Sequence, residues 1–175
     1  DTVILNGIEC EPFITADYRI LIEHADEVIR GLKYFLKASL ANKGIIAIED
    51  NKPRAIELFN QLTADDPNIS VVVCPEKYPQ GSERHLIYAV TGRVVPERAL
   101  PSAVGVIVDN VATAMQAALA VKDDLPCYER IVTVSGNAVH KPGNYRVRIG
   151  TLYSHLVEQG AQGLKNLSLI HISEP

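Results

Sequence analysis

A chain of 175 residues with 47% hydrophobic and 22% charged side chains holds material for one medium domain, or a domain with a small appendage, and is neither disordered nor fibrous. A net charge of −4, with seven Tyr, three Phe and no Trp, argues against a nucleic-acid surface. No run approaches the ~20 apolar residues of a membrane helix and no secretory signal precedes the first strand, so the expectation is a cytoplasmic chain without a span of its own.

In chain order, Thr2-Val3-Ile4-Leu5 reads as a buried strand that ends at Asn6-Gly7. Glu9, Cys10, Glu11 and Pro12 follow it directly. Thr15 or Asp17 is placed to cap one long helix, whose apolar face is Leu21, Ala25, Val28, Leu32 and Phe35. Asn42-Lys43-Gly44 supplies its stop. Residues 44–48 form a second apolar run with Glu49-Asp50-Asn51-Lys52 past its end, and Pro53 suits the first turn of the next helix. Residues 69–73 are β-branched and apolar enough to predict a central strand. The polar stretch 77–83 follows, then a short helix carrying Leu86, Ile87 and Val90, and an irregular connection over 92–101. A fourth strand at 104–108 ends in Asp109-Asn110, and a helix with Val111, Ala114, Met115, Ala118 and Val121 comes next.

This alternation predicts an α/β fold, a mostly parallel sheet with helices on both faces. Its four strands bring 6–11, 49–52, 77–83 and 109–113 to one carboxyl edge. In open α/β sheets that edge is where ligands bind. Gly7 and Gly81 are expected to permit close backbone approach there. Each loop alone is a solvated turn by default; four together favour a ligand crevice.

Beyond Asp123-Asp124-Leu125-Pro126 the texture changes. Residues 130–136 read as a strand, Gly136-Asn137 as a turn, and 144–149 as a strand with one wet face. Gly150-Thr151 is placed to cap a short helix through Leu152, Leu156 and Val157. A small α+β unit is therefore expected past a boundary at 123–128. Arg146 and Arg148 share a strand face and read as solvated charges, with an anion or partner contact as the less common alternative. Cys10, Cys74 and Cys127 are too few and too far apart for a disulfide framework or metal site, and are expected to be semi-buried thiols. His24, His85, His140, His155 and His171 are equally dispersed, so no metal site is expected. The chain opens on a core strand and closes on a run without pattern, as an excised piece would.

Five motifs occur in order: Asn-Gly-x-Glu-Cys-Glu-Pro, Glu-Asp-Asn-Lys-Pro, Lys-Tyr-Pro-Gln-Gly-x-Glu, Asn-Val-x-Thr-Ala and Pro-Gly-Asn-x-x-Val-Arg-Ile-Gly-Thr. Over residues 2–160 the chain resembles the C subunit of the Rnf electron-transport complex, an ion-translocating ferredoxin:NAD oxidoreductase of bacterial membranes. More distantly it is similar to the flavin-bearing, NADH-binding subunit of respiratory complex I. The resemblance implies a Rossmann-like FMN/NADH-binding domain over 1–123, a soluble-ligand-binding β-grasp (SLBB-like) unit over 124–160, and a foreign or disordered tail over 161–175. It implies that Asn6, Glu9 and Glu11 line flavin and nicotinamide, that Tyr78, Gly81 and Glu83 lie beside flavin and NADH, and that Asn110 and Thr113 stand near the flavin phosphate.

The implied function is passage of electrons between NADH and FMN or iron–sulfur centres, by a peripheral protein on the inner face of the cell membrane that docks the other subunits of its complex. The alternatives are a non-redox scaffold of such a complex and a cobalamin-reductase-like flavoprotein. Hydride transfer needs no acid–base side chain, so no catalytic residue is expected. The family's glycine-rich flavin loop is expected upstream of Asp1 and its 4Fe-4S segment downstream, which would leave the isolated piece inactive. Against the family pattern, Ile8 replaces an acid, Ser82 a Glu, and Asp109 an uncharged amide, so that the Asp109 charge would repel a phosphate.

Overall fold

The computed structural model describes residues 1–165. One compact unit comprises residues 1–11 and 17–126; a second takes in residues 12–16 and the described chain from Cys127 to Lys165.

In the first unit, strands β1 (Thr2–Gly7), β2 (Lys43–Glu49), β3 (Ile69–Cys74) and β4 (Val106–Asn110) form one sheet in the order β3-β2-β1-β4. Every pairing is parallel, so all four carboxyl ends lie on one edge. The connecting helices are α1 (Ala16–Glu23), α2 (Ala25–Ser39), α3 (Pro53–Thr63) and α4 (Glu83–Thr91), and α5 (Val111–Asp123) follows β4. Alternation along the strands sends Gly7, Gly44 and their neighbours towards α1, α2 and α5: a side chain at Gly7 would meet Leu21 and Val111, and one at Gly44 would meet Leu32 and Leu36. The other face buries Ile4, Ile8, Ile45 and Ala47 against Leu86 and Ile87 of α4. Helices thus cover both faces. The chain order reverses at β1, because β3 connects back across the sheet to β4 on the far side of β1.

Three local expectations are corrected. The long helix is two, broken at His24, whose backbone (φ −130°, ψ 31°) leaves the helical region. Its stop is Leu40 in the left-handed region (φ 57°), while Gly44 already belongs to β2. β3 is an edge strand rather than a central one, because the chain crosses from it to β4 instead of extending the sheet outward. Val72 is accordingly only half-buried. Val72→Asp can turn its carboxylate towards water, so a loss of about 1–2 kcal/mol is expected by urea denaturation, well short of a fully buried charge.

In the second unit, β5 (Glu129–Val134) and β6 (Gly143–Arg148) form an antiparallel pair, followed by α6 (Tyr153–His155) and a π-turn over Leu156–Gly160. Arg146 pairs with Glu129 at 3.5 Å across the strands, a structural ion pair rather than an open anion contact. Leu156, Ala161 and Val139 are buried. The Gly150-Thr151 cap does not form, since Thr151 Oγ1 donates back to the Arg148 carbonyl. Thr15, expected to cap the first helix, belongs here: its N–H donates to Thr133 Oγ1 (3.1 Å), and Asn144 Nδ2 donates to its hydroxyl (2.9 Å). Residues 161–165, expected to start a loose tail, are bonded instead: Lys141 N–H donates to Ala161 O and Lys165 N–H to Ala138 O. The remainder of the expected tail, with His171, lies outside the described residues.

Candidate functional site

The chain order reverses at β1, so the carboxyl ends of β1 and β4 meet at the usual ligand position of open α/β sheets. Asn6 and Asn110 are register partners there. Asn6 Nδ2 donates to Gly81 O at 2.9 Å, and its Oδ1 accepts the Ile8 N–H at 3.1 Å. One amide therefore ties the loop after β1 to the loop after β3. Asn110 caps α5 by accepting the Ala112 N–H at 2.7 Å, and its Nδ2 donates to the Asp17 carboxylate at 2.7 Å. Glu9 accepts the N–H groups of Asp17 (2.9 Å) and Tyr18 (3.3 Å), acting as the N-terminal cap of α1 from eight residues upstream. Four segments are thus fastened by three side chains.

Burial holds the Glu9 carboxyl above the ordinary glutamate range, against the two N–H donors, and the Asp17 carboxylate adds to the rise. Like-charge crowding of Glu9 with Glu11 and Glu83 is not the cause. Glu11, Tyr78 and Glu83 are exposed, Gly81 and Thr113 are half-buried, and Glu83 stands in the first turn of α4. The two glycines serve loop packing rather than open space: a Cβ on Gly7 would lie 2.8 Å from Ala47 O, and one on Gly81 would lie 3.0 Å from Ile8 O. Asp109 does not aim freely at a phosphate position, because its Oδ1 accepts the Asn110 N–H at 2.9 Å. Of the thiols, Cys74 is buried, Cys10 is half-buried beside Gly81, and Cys127 is exposed, contrary to the expectation of three semi-buried ones. Among the described residues no cluster of His, Cys, Asp or Glu is built to hold a metal.

Glu49, Lys52 and Gln80 lie within the motifs without an individual site role there, and Asp17 lies outside them, yet all four stand at this edge of the sheet. Glu49 ends β2 with its side chain fully buried, and neither oxygen has a well-formed hydrogen bond. Its nearest compensating groups are the Lys52 ammonium at 3.7 Å and the Glu9 backbone N–H. Burial pushes its carboxyl up, and its charge helps burial push up the Cys74 thiol. The Gln80 amide nitrogen is another buried polar atom without a partner. Lys52 lies over the Tyr18 ring, 5.5 Å from its centre. A charged residue closing an otherwise apolar strand was the available signal for Glu49.

Residues 1–119 match the family described as the Nuo51 FMN-binding domain. The chain belongs to that family. Residues 131–161 match the SLBB domain, in agreement with the small antiparallel unit. Family likeness extends to the C subunit of the proton-translocating ferredoxin:NAD(+) oxidoreductase complex of Clostridium ljungdahlii, 43% identical over 158 residues, which covers 90% of this chain and 34% of that protein. The C subunit of the Na(+)-translocating complex of Acetobacterium woodii is 43% identical over 159 residues, covering 91% and 36%. The corresponding C subunit of the ion-translocating oxidoreductase complex of Pasteurella multocida is 43% identical over 160 residues, covering 90% and 19%. The chain thus spans about a third of the first two relatives and less of the third. Among solved structures, a chain of an NAD+-reducing [NiFe]-hydrogenase in the H2-reduced state shares the fold, with TM-score 0.69 and 22% identity over 89% of this chain and 32% of that one.

Proposed function

We propose that this chain is the FMN- and NADH-binding core of the C subunit of an ion-translocating ferredoxin:NAD oxidoreductase, the reading supported by its family and its most similar relatives. The observation that carries it is the pairing of Asn6 with Asn110 at the reversal point of the sheet, where loops after β1, β3 and β4 converge. The residues suit a flavin nucleotide. The N-terminus of α5 and the Thr113 hydroxyl serve a phosphate, and the buried unpartnered atoms of Glu49 and Gln80 mark polar capacity that the protein leaves unused. Bound flavin would supply the exchange between two-electron hydride chemistry and one-electron transfer. The protein's part is to hold the loops rigid, orient the ring and nicotinamide, and exclude water.

Iron–sulfur clusters belong in this reading to the remainder of the full-length protein, and other subunits of the complex are its partners. The protein lies at the cytoplasmic face of the membrane; among the described residues no helix is long and apolar enough to cross it. A non-redox scaffold is the second reading, favoured by one observation: Asn6, Glu9 and Asn110 are satisfied within the protein.

Titration of the full-length protein that contains this chain separates the two. The redox reading expects flavin absorbance to perturb on FMN addition and to bleach with NADH; absence of FMN binding leaves the scaffold. Asn6→Ala unties Gly81 and is expected to weaken FMN by about tenfold, roughly 1.4 kcal/mol. Glu11→Gln, at an exposed position, is expected to weaken NADH about threefold while FMN content stays unchanged. Equal NADH affinity in Glu11→Gln would shift that role to Glu83.

A further inference from the structure

The four carboxyl-edge segments carry six carboxylates, on Glu9, Glu11, Glu49, Asp50, Glu83 and Asp109, against two ammonium groups, on Lys52 and Lys77. An acidic crevice is a poor host for a ligand that gains negative charge. Lys77 is exposed. Lys52 is different: its side chain is only 17% exposed, and its ammonium lies 3.7 Å from a Glu49 oxygen, beyond hydrogen-bond length. Both members of the pair therefore retain bonding capacity, and the Glu49 carboxyl stands in a fully buried place without a well-formed hydrogen bond. Stability alone does not explain such a group, since an apolar residue would spare the desolvation.

We propose that the Lys52–Glu49 pair sets the reduction potential of a bound flavin: the Lys52 ammonium stabilises the charge the ring gains on reduction, and the Glu49 carboxylate beside it opposes that charge. This rests on the flavin reading of the site. A phosphate held at the N-terminus of α5 would leave the rest of a flavin nucleotide to lie along the carboxyl edge, on which β1 and then β2, with this pair at its end, also finish. Bound flavin would accept a hydride from NADH, two electrons and one proton, so the ring would gain one negative charge as NAD+ leaves. An ammonium in a half-buried site stabilises that charge far more than one in water. Glu9 and Glu76, the other carboxylates that act on Lys52 or Glu49, oppose it.

The two residues have opposite charge, so their neutral variants should move the flavin in opposite directions. The test uses the full-length protein loaded with FMN, with the midpoint potential followed by absorbance and FMN retention measured alongside. Lys52→Met is expected to lower the reduction equilibrium about tenfold, which for a two-electron couple is about 30 mV towards negative potential. Lys52→Arg should stay within threefold of the wild type. Glu49→Gln should shift the potential positive. A merely structural pair would loosen FMN in both variants without opposite shifts, and that result, or no shift in either, overturns the proposal while the flavin reading stands. If Lys52→Met does not fold, the sign in Glu49→Gln decides: a positive shift supports the proposal, and a negative or absent one overturns it. Wild-type protein that binds no FMN overturns both readings together.

Discussion

Gly31→Ala should destabilise the protein by about 3 kcal/mol or more, against the ~1 kcal/mol that alanine normally gains over glycine in a helix. The reason lies where α2 crosses α5. A Cβ at Gly31 would stand 1.9 Å from Ala114 O and 2.5 Å from Ala114 C. Those are backbone atoms, so no rotamer change relieves the collision; the helices must part. Separation would loosen Val28 and Leu32 of α2 and Ala114 and Ala118 of α5, all fully buried. It would also pull on Asn110 at the head of α5, so FMN binding should weaken together with stability. Urea denaturation checks the first effect. A Gly31→Ala midpoint at or above that of the wild type would show that the α2–α5 crossing is wrongly described.

Glu49→Gln should act in the other direction and stabilise the fold by about 1–2 kcal/mol at pH 7. The wild-type side chain is buried, its charge is answered chiefly by Lys52 at 3.7 Å, and its carboxyl is held above the usual 4.5 by burial. The sign follows from proton binding. A carboxyl whose folded pKa exceeds its unfolded value binds more protons in the native state, so wild-type stability falls as pH rises through that window. Glutamine has no such titration. The advantage of the variant should therefore be full above the raised folded pKa and decline as pH falls towards 4.5. Glu9, raised as well, is common to both proteins and drops out of the difference. Denaturation midpoints from pH 4 to pH 8 measure it; a variant less stable than the wild type at pH 7 would mean that the ionised carboxylate is well solvated or paired. A gain in stability joined to a shifted flavin potential would make Glu49 a residue kept for function at a cost in stability.

Periodicity read the first unit well wherever a single element decided the pattern. The runs at 2–5 and 44–48 became β1 and β2, and the apolar positions at 86, 87 and 111–118 became the buried faces of α4 and α5. What failed was set by other parts of the chain. The apolar period runs unbroken through His24, so nothing local announced the break between α1 and α2. The cap of α1 is Glu9, distant along the chain, and local capping rules look only at neighbours such as Thr15 and Asp17. β3 carries as many β-branched residues as a central strand, yet sheet order, which no single strand encodes, put it at the edge.

The site was legible as four loops and less so as individual roles. Asn6, Glu9 and Asn110 stand at the carboxyl edge, but their side chains bond the backbone and, for Asn110, the Asp17 carboxylate, and act as ties between segments. Their donors and acceptors are spoken for by Gly81, Ile8, Ala112 and the head of α1. Gly81 is glycine because Ile8 O and Cys10 Sγ approach it, a contact invisible in sequence. Glu49 escaped notice as a site residue because a terminal acid on a strand reads as solvated until its burial is known.

The central claim is that flavin occupies the carboxyl edge of the parallel sheet. Hydrogen exchange of the full-length protein with and without FMN tests it most directly. Added FMN is expected to slow exchange at the backbone amides of 6–11, 77–83 and 109–113, and to leave 130–160 unchanged. Protection confined to 130–160, or bound FMN with no protection in any of those three loops, would contradict it.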